Sequence, residues 1–127
     1  MTRFRAALAA LALASLPAAG AGAEVRLLMV EEPGCVYCAR WTAEVGDAYP
    51  LTAEGRIAPL ERVGLRAALP EGIALDRPAV FSPTFVLLND GAEVGRIEGY
   101  PGEDFFWPLL GRLIDELPAD LQKDPGS

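Results

Sequence analysis

The chain has 127 residues, 18 of them acidic and 11 basic, a formal net charge of −7, two cysteines and no histidine. The acidity excludes nucleic acid and anionic membrane as partners, because both are held by basic patches. Without histidine, Ser-His-Asp and Cys-His catalysis, histidine-ligated haem and nearly all copper and catalytic zinc sites are also excluded.

Arg3 and Arg5 open the chain with positive charge, and Ala6 to Leu16 is apolar apart from Ser15. Pro17 stops the run, and Ala21-Gly22-Ala23 supplies small residues of the kind that precede a cleavage site. Together these read as a secretory signal peptide over residues 1–23. An uncleaved anchor is the other reading, although the run is shorter than the roughly 18 to 20 residues that span a bilayer. Removal of residues 1–23 leaves one domain over residues 24–127 with a formal charge of −9. Export also places both cysteines in a disulfide-permissive compartment.

Val25 to Val30 is nearly continuously apolar, as a buried strand is. Glu31-Glu32-Pro33-Gly34 breaks it with turn chemistry, and Cys35 to Ala48 reads as a helix. Arg40 and Glu44 sit four apart on that helix, and Trp41, Val45 and Ala48 form its apolar stripe. Tyr49-Pro50 ends it. Thr52 to Arg56 has a short helical composition that Gly55 is placed to stop, and Ala58 to Leu65 is a second strand, parallel to the first. From Arg66 to Ser82, Pro70, Gly72 and Pro78 leave room for only a short helix. Thr84 to Leu88, the turn Asn89-Asp90-Gly91 and Glu93 to Glu98 make a hairpin. Glu103 to Leu117 is the last helix, with acids at its positive end and Pro108 as either a kink or a delayed start. Residues 118–127 read as a frayed tail. The order β-α-β-short α-β-β-α implies an α/β fold, a mixed four-stranded sheet with helices on both faces.

Cys35-Val36-Tyr37-Cys38 carries the chemistry. A disulfide closing two intervening residues removes little chain entropy, so a structural staple is a poor reading. Half of a metal site is another, but tetrahedral zinc needs two further ligands and the chain has no other cysteine or histidine. A redox dithiol fits better. Only a thiolate attacks a disulfide, and a helix N-terminus favours the anion at Cys35. Cys38, one turn on, is placed to resolve the mixed disulfide. No metal and no cofactor is indicated.

A strand, a CxxC at a helix start, Ser82-Pro83-Thr84 some 45 residues later, then a hairpin and a closing helix resemble the thioredoxin superfamily. Resemblance to its periplasmic branch from bacterial sulfur-oxidation (Sox) systems is closer and covers nearly all of residues 24–127. It is carried by the segment from Glu31 to Trp41, by Ser82-Pro83-Thr84-Phe85-Val86-Leu87, and by Gly95 to Trp107.

The resemblance implies a thioredoxin-like fold, a cis bond before Pro83, and a substrate groove formed by Val36, Tyr37, Ser82, Pro83, Gly99 and Tyr100. An ordinary trans proline opening an edge strand and a plain loop aromatic are the competing readings of Pro83 and Tyr100. It further implies a periplasmic thiol–disulfide oxidoreductase that reduces a protein disulfide or persulfide and so keeps a Sox sulfur carrier's cysteine active. A membrane electron donor would re-reduce it. A disulfide oxidase or isomerase, or a non-catalytic thiol carrier or chaperone, is the alternative. Ordinary thioredoxins carry a buried acid six residues before the first cysteine, where this chain has Met29. Glu31 and Glu32 are then either solvated surface or proton-transfer groups for Cys38. Their charge disfavours a thiolate at Cys35, which predicts a pair on the reducing side.

Overall fold

The computed structural model describes residues 24–127 and, before them, only Ala12 and Ala14. The leader expected over residues 1–23 lies outside the described residues. Four strands, β1 (Val25–Glu31), β2 (Leu60–Gly64), β3 (Thr84–Asn89) and β4 (Ala92–Glu98), form one mixed sheet in the order β2-β1-β3-β4. β1 runs parallel to β2 and antiparallel to β3, with Met29 opposite Phe85 and Val30 opposite Val63 and Thr84. The apolar run of β1 is explained by this central place. Leu27 and Met29 enter one core, Leu28 and Val30 the other, and all four are buried.

The β3–β4 hairpin closes through Asp90 and Gly91, both at positive φ (53° and 81°), the two-residue turn whose twist matches its strands. Gly91 has a second reason to be glycine. A Cβ there would lie 1.9 Å from the Gly72 carbonyl oxygen, and the Gly91 carbonyl accepts the Ala74 N–H at 2.9 Å.

One face of the sheet carries the helices. Trp41 of α1 (Val36–Trp41) and Phe106 of α3 (Glu103–Asp115) meet Phe85 of β3, with ring centroids 5.1–5.7 Å apart. Val45, Tyr49, Leu110 and Ile114 extend that core. The helix expected to run from Cys35 to Ala48 changes character after Trp41. Thr42–Gly46 is a π-helical turn, followed by a 3₁₀ turn at Tyr49–Leu51. The wider turn holds one more residue, so the stripe reads Trp41, Val45, Tyr49, and Ala48 is exposed.

The other face corrects the expected layering. No helix forms between Arg66 and Ser82, and residues 65–79 cross the sheet as turns with one bridge, Ala74 to Ala92. Pro70 and Pro78 lack the N–H that a helix needs, and Gly72 takes a positive φ of 84°. Leu65, Ile73, Leu75 and Ala79 cover Leu28, Val30, Val86 and Leu88 without it. Among the described residues, helices therefore pack on one face only.

Three smaller expectations also change. Gly55 does not stop the short helix but sits inside it (α2, Ala53–Ile57), capped by Thr52. Its missing side chain lets the helix pass within contact of the Tyr49 carbonyl, 1.8 Å from where a Cβ would be. Pro108 does not delay α3, which starts at Glu103 and passes through it to Asp115. The tail after Leu117 is tied down. It forms a 3₁₀ turn at Ala119–Leu121, Gln122 donates to the carbonyls of Asp115 and Leu117, and Asp124 accepts from Arg56 at 2.9 Å.

Candidate active site

The break after β1 and the start of α1 place the two cysteines differently. Cys35 is the N-cap of α1, half-buried, and its Sγ accepts the Cys38 N–H at 3.1 Å. Cys38 lies within the first turn of the helix and is 4 % exposed. The two are joined as a disulfide with Cα atoms 5.2 Å apart. Of the two cysteines, Cys35 is the more exposed.

The segment before β3 meets them from the opposite side. The Ser82–Pro83 peptide bond is cis, and the Ser82 Oγ stands 3.1 Å from Cys38 Sγ. Thr84, fully buried, holds this segment by donating from Oγ1 to the Phe81 carbonyl at 2.7 Å. The Pro83 carbonyl accepts the Gly99 N–H at 2.7 Å, which brings the end of β4 against it. Val36, Tyr37 and Phe81 are 74 %, 56 % and 55 % exposed. Apolar side chains are thus offered to solvent by both cysteine-bearing and proline-bearing segments.

Of the residues expected to form a groove, Tyr37, Gly99 and Tyr100 line one shallow cleft with Glu98 and Pro101. Tyr100 is buried, however, with its ring against Phe106. Its hydroxyl donates to Glu44 Oε2 at 2.6 Å, and Glu44 also pairs with Arg40 at 2.8 Å. The Tyr100 hydrogen bond, and after it the Arg40 guanidinium, hold the Glu44 carboxyl below its ordinary range. Burial first, then the Glu44 hydrogen bond, push the Tyr100 phenol up.

Glu31 and Glu32 line a second cleft with Cys35, Cys38, Thr42 and Arg62. Arg62 of β2 donates to Glu31 at 2.8 Å, reaches Thr42, and lies 5.6 Å above the ring of Trp41. Half of the negative charge expected beside Cys35 is therefore compensated. Glu31 is an ion-pair partner rather than free surface.

Three residues were not singled out by the sequence: Arg62, Phe81 and, as a partner of Tyr100, Glu44. The i,i+4 spacing with Arg40 marked Glu44 only as a helix-surface charge. Arg62 reaches the site from another strand, and Phe81 is 55 % exposed just before the Ser82–Pro83 bond. Neither fact has a local sequence signal.

No protein-family model matches the chain, and the curated proteins contain no match either. Among solved structures, it is similar to the periplasmic thioredoxin SoxS from Paracoccus pantotrophus in its reduced form. The two are 61 % identical with a TM-score of 0.72, over 73 % of this chain and 98 % of that one.

Proposed function

The chain belongs to the thioredoxin superfamily and is a thiol–disulfide oxidoreductase, and from that premise we propose that it is a periplasmic reductant serving a Sox sulfur carrier. The leader in residues 1–23 exports it. The 61 % likeness to SoxS supports both the compartment and the system. The observation that carries the reaction is the asymmetry of the pair, Cys35 half-buried over Cys38 at 4 % exposure.

In the reducing direction both cysteines start as thiols. The Cys35 thiolate attacks one sulfur of a client disulfide, or the inner sulfur of a persulfide, forming an S–S bond to that sulfur and releasing the other as a thiolate or as hydrosulfide. Cys38 loses its proton and attacks Cys35 Sγ. The Cys35–Cys38 bond forms, the bond to the client breaks, and the client leaves as a thiolate that takes up a proton. Two electrons pass to the client, and a membrane donor returns two to the chain. Val36, Tyr37, Phe81 and Ser82-Pro83 receive the client's extended segment, with Gly99 and Tyr100 at its far side. Glu31 and Glu32 border the path by which the Cys38 proton reaches solvent. The uncovered apolar side chains of Val36, Tyr37 and Phe81 suit an apolar segment flanking the client cysteine.

The reduction potential of the pair decides the direction. Equilibration with glutathione is expected to give a value near that of thioredoxin, roughly −270 mV, and a value near −120 mV would make the chain an oxidant. With Cys38→Ser the mixed disulfide on Cys35 should persist. Mass spectrometry of the adduct from periplasm should then find a sulfur carrier's cysteine, and its consistent absence would end the Sox assignment.

A further inference from the structure

Resolution requires a negative charge on Cys38, and the site is poorly built for one by the usual means. The residue is 4 % exposed, and burial disfavours a thiolate. Its own backbone N–H is already committed to Cys35 Sγ at 3.1 Å. Met29, on the neighbouring strand, is apolar and fully buried. The ionisable groups that share the cleft are Glu31 and Glu32 from the end of β1 and Arg62 from β2, and Arg62 is held by Glu31 at 2.8 Å. The polar side-chain atom in contact with Cys38 Sγ is the Ser82 Oγ at 3.1 Å.

In the disulfide neither sulfur carries a proton, so the hydroxyl is the donor in this contact. The segment that carries it is held on both sides. Thr84 Oγ1 donates to the Phe81 carbonyl, and the Gly99 N–H donates to the Pro83 carbonyl, each at 2.7 Å. A donor fixed in this way needs no rearrangement when charge arrives on the sulfur.

We infer that the Ser82 hydroxyl is a catalytic residue of the second half-reaction, donating a hydrogen bond to the Cys38 thiolate. When the dithiol reduces a client, it stabilises that thiolate before it attacks Cys35 Sγ. When a donor thiolate attacks Cys35 Sγ of the disulfide, the Cys35–Cys38 bond breaks and Cys38 leaves as the thiolate that Ser82 receives. Ser82 neither gains nor loses a proton in either direction. Its side chain thus has a role separate from any backbone contact that residue 82 makes with a client. The inference rests on thiol–disulfide exchange at the pair, but not on the identity of the client.

The test uses Ser82→Thr and Ser82→Val, which share a shape and differ in the hydroxyl. In a Cys35→Ser background, Cys38 is the sole thiol, and its pKa is read from thiolate absorbance. Valine should raise that pKa by about one to two units, the size expected for a hydrogen bond to a charged group. Threonine should restore it. In the intact dithiol, resolution of a mixed disulfide between Cys35 and glutathione should slow about three- to tenfold at neutral pH with valine. The slowing is less than the change in thiolate fraction because a more basic thiolate is also more nucleophilic. Equal Cys38 pKa values for the threonine and valine chains would overturn the inference. Equal slowing of the first attack by Cys35 would overturn it too, since that pattern reports a disturbed fold. Both readouts are free of the natural client, so failure to trap a sulfur carrier would remove the Sox assignment and leave this result standing.

Discussion

Tyr100 shows how one side chain serves two surfaces. Its ring packs on Phe106 in the core, and its hydroxyl donates to Glu44 at 2.6 Å beside the cleft that holds Tyr37 and Gly99. Tyr100→Phe keeps the ring and removes the donor. The Glu44 carboxyl is held low first by that hydrogen bond and then by Arg40, so in the variant its pKa should rise toward the ordinary value. A carboxylate titration followed by NMR reads this directly. The sign for stability follows. A carboxyl with a lowered folded-state pKa stabilises the fold above its unfolded-state pKa, and that contribution is lost as pH falls through the folded-state value. The variant should therefore show a shallower loss of stability on the acid side. An unmoved Glu44 titration would mean that Arg40 alone sets the carboxyl. The same two residues show the reach of local pattern. Arg40 and Glu44 are legible as an i,i+4 pair, whereas the contact from Tyr100, 56 residues away, is not.

At the scale of elements, the β3–β4 hairpin and the π-helical turn mark the two extremes of legibility. The hairpin is written in Asn89-Asp90-Gly91, because a two-residue turn with positive φ admits few other residues. Gly91→Ala tests it. The left-handed backbone alone costs about 1–2 kcal/mol for a residue with a Cβ, and the added atom meets the Gly72 carbonyl at 1.9 Å. The expected loss is therefore more than about 2 kcal/mol, seen as a lower urea midpoint at unchanged slope. Gly34→Ala is the control. Its φ is also positive, at 79°, but nothing lies within 4 Å of the new atom, so only the conformational part should be lost. The π-helical turn at Thr42–Gly46 has no such signature. Around it Trp41, Val45 and Tyr49 all reach one core. Packing overrides local preference there, and Ala48 loses its expected place to a side chain that buries far more area.

Across the whole molecule, the segment that covers the sheet's second face is tied to β4 by a charge pair. Glu93 and Arg96 on β4 are 2 % and 6 % exposed and 2.6 Å apart. Glu93 also accepts the Asp76 N–H at 3.1 Å, and Arg96 donates to the Arg77 carbonyl at 2.7 Å. The pair thereby ties the sheet edge to the segment that leads to Phe81, Ser82 and Pro83. Burial on its own raises the Glu93 pKa, but the hydrogen bonds from Arg96 and Asp76 outweigh it and hold the carboxyl low. Glu93→Gln leaves the buried Arg96 with only the more distant Glu98, at 3.9 Å, as counter-charge. Breaking such a pair costs about 3 kcal/mol, which chemical unfolding at pH 7 would register. The difference between parent and variant should shrink as pH falls through the folded-state value, because protonation of Glu93 removes the same charge. A difference that is constant with pH would show that the pair contributes by packing alone.

The sequence by itself determined the features that depend on neighbours along the chain. These are the buried strand before the dithiol, the break at Glu31-Glu32-Pro33-Gly34, the helix start at Cys35, the hairpin turn, and Ser82-Pro83 before β3. Each follows from the local conformational range of glycine and proline or from apolar periodicity, and both are written in adjacent residues. Only the tertiary structure decided what depends on contacts across the chain. It paired Glu31 with Arg62 from another strand. It buried the ring of Tyr100 while leaving Phe81 in solvent, and it brought the Ser82 hydroxyl to Cys38. Those outcomes are set by how side chains from distant segments fill one volume and satisfy one another's charges and hydrogen bonds, which no local pattern records.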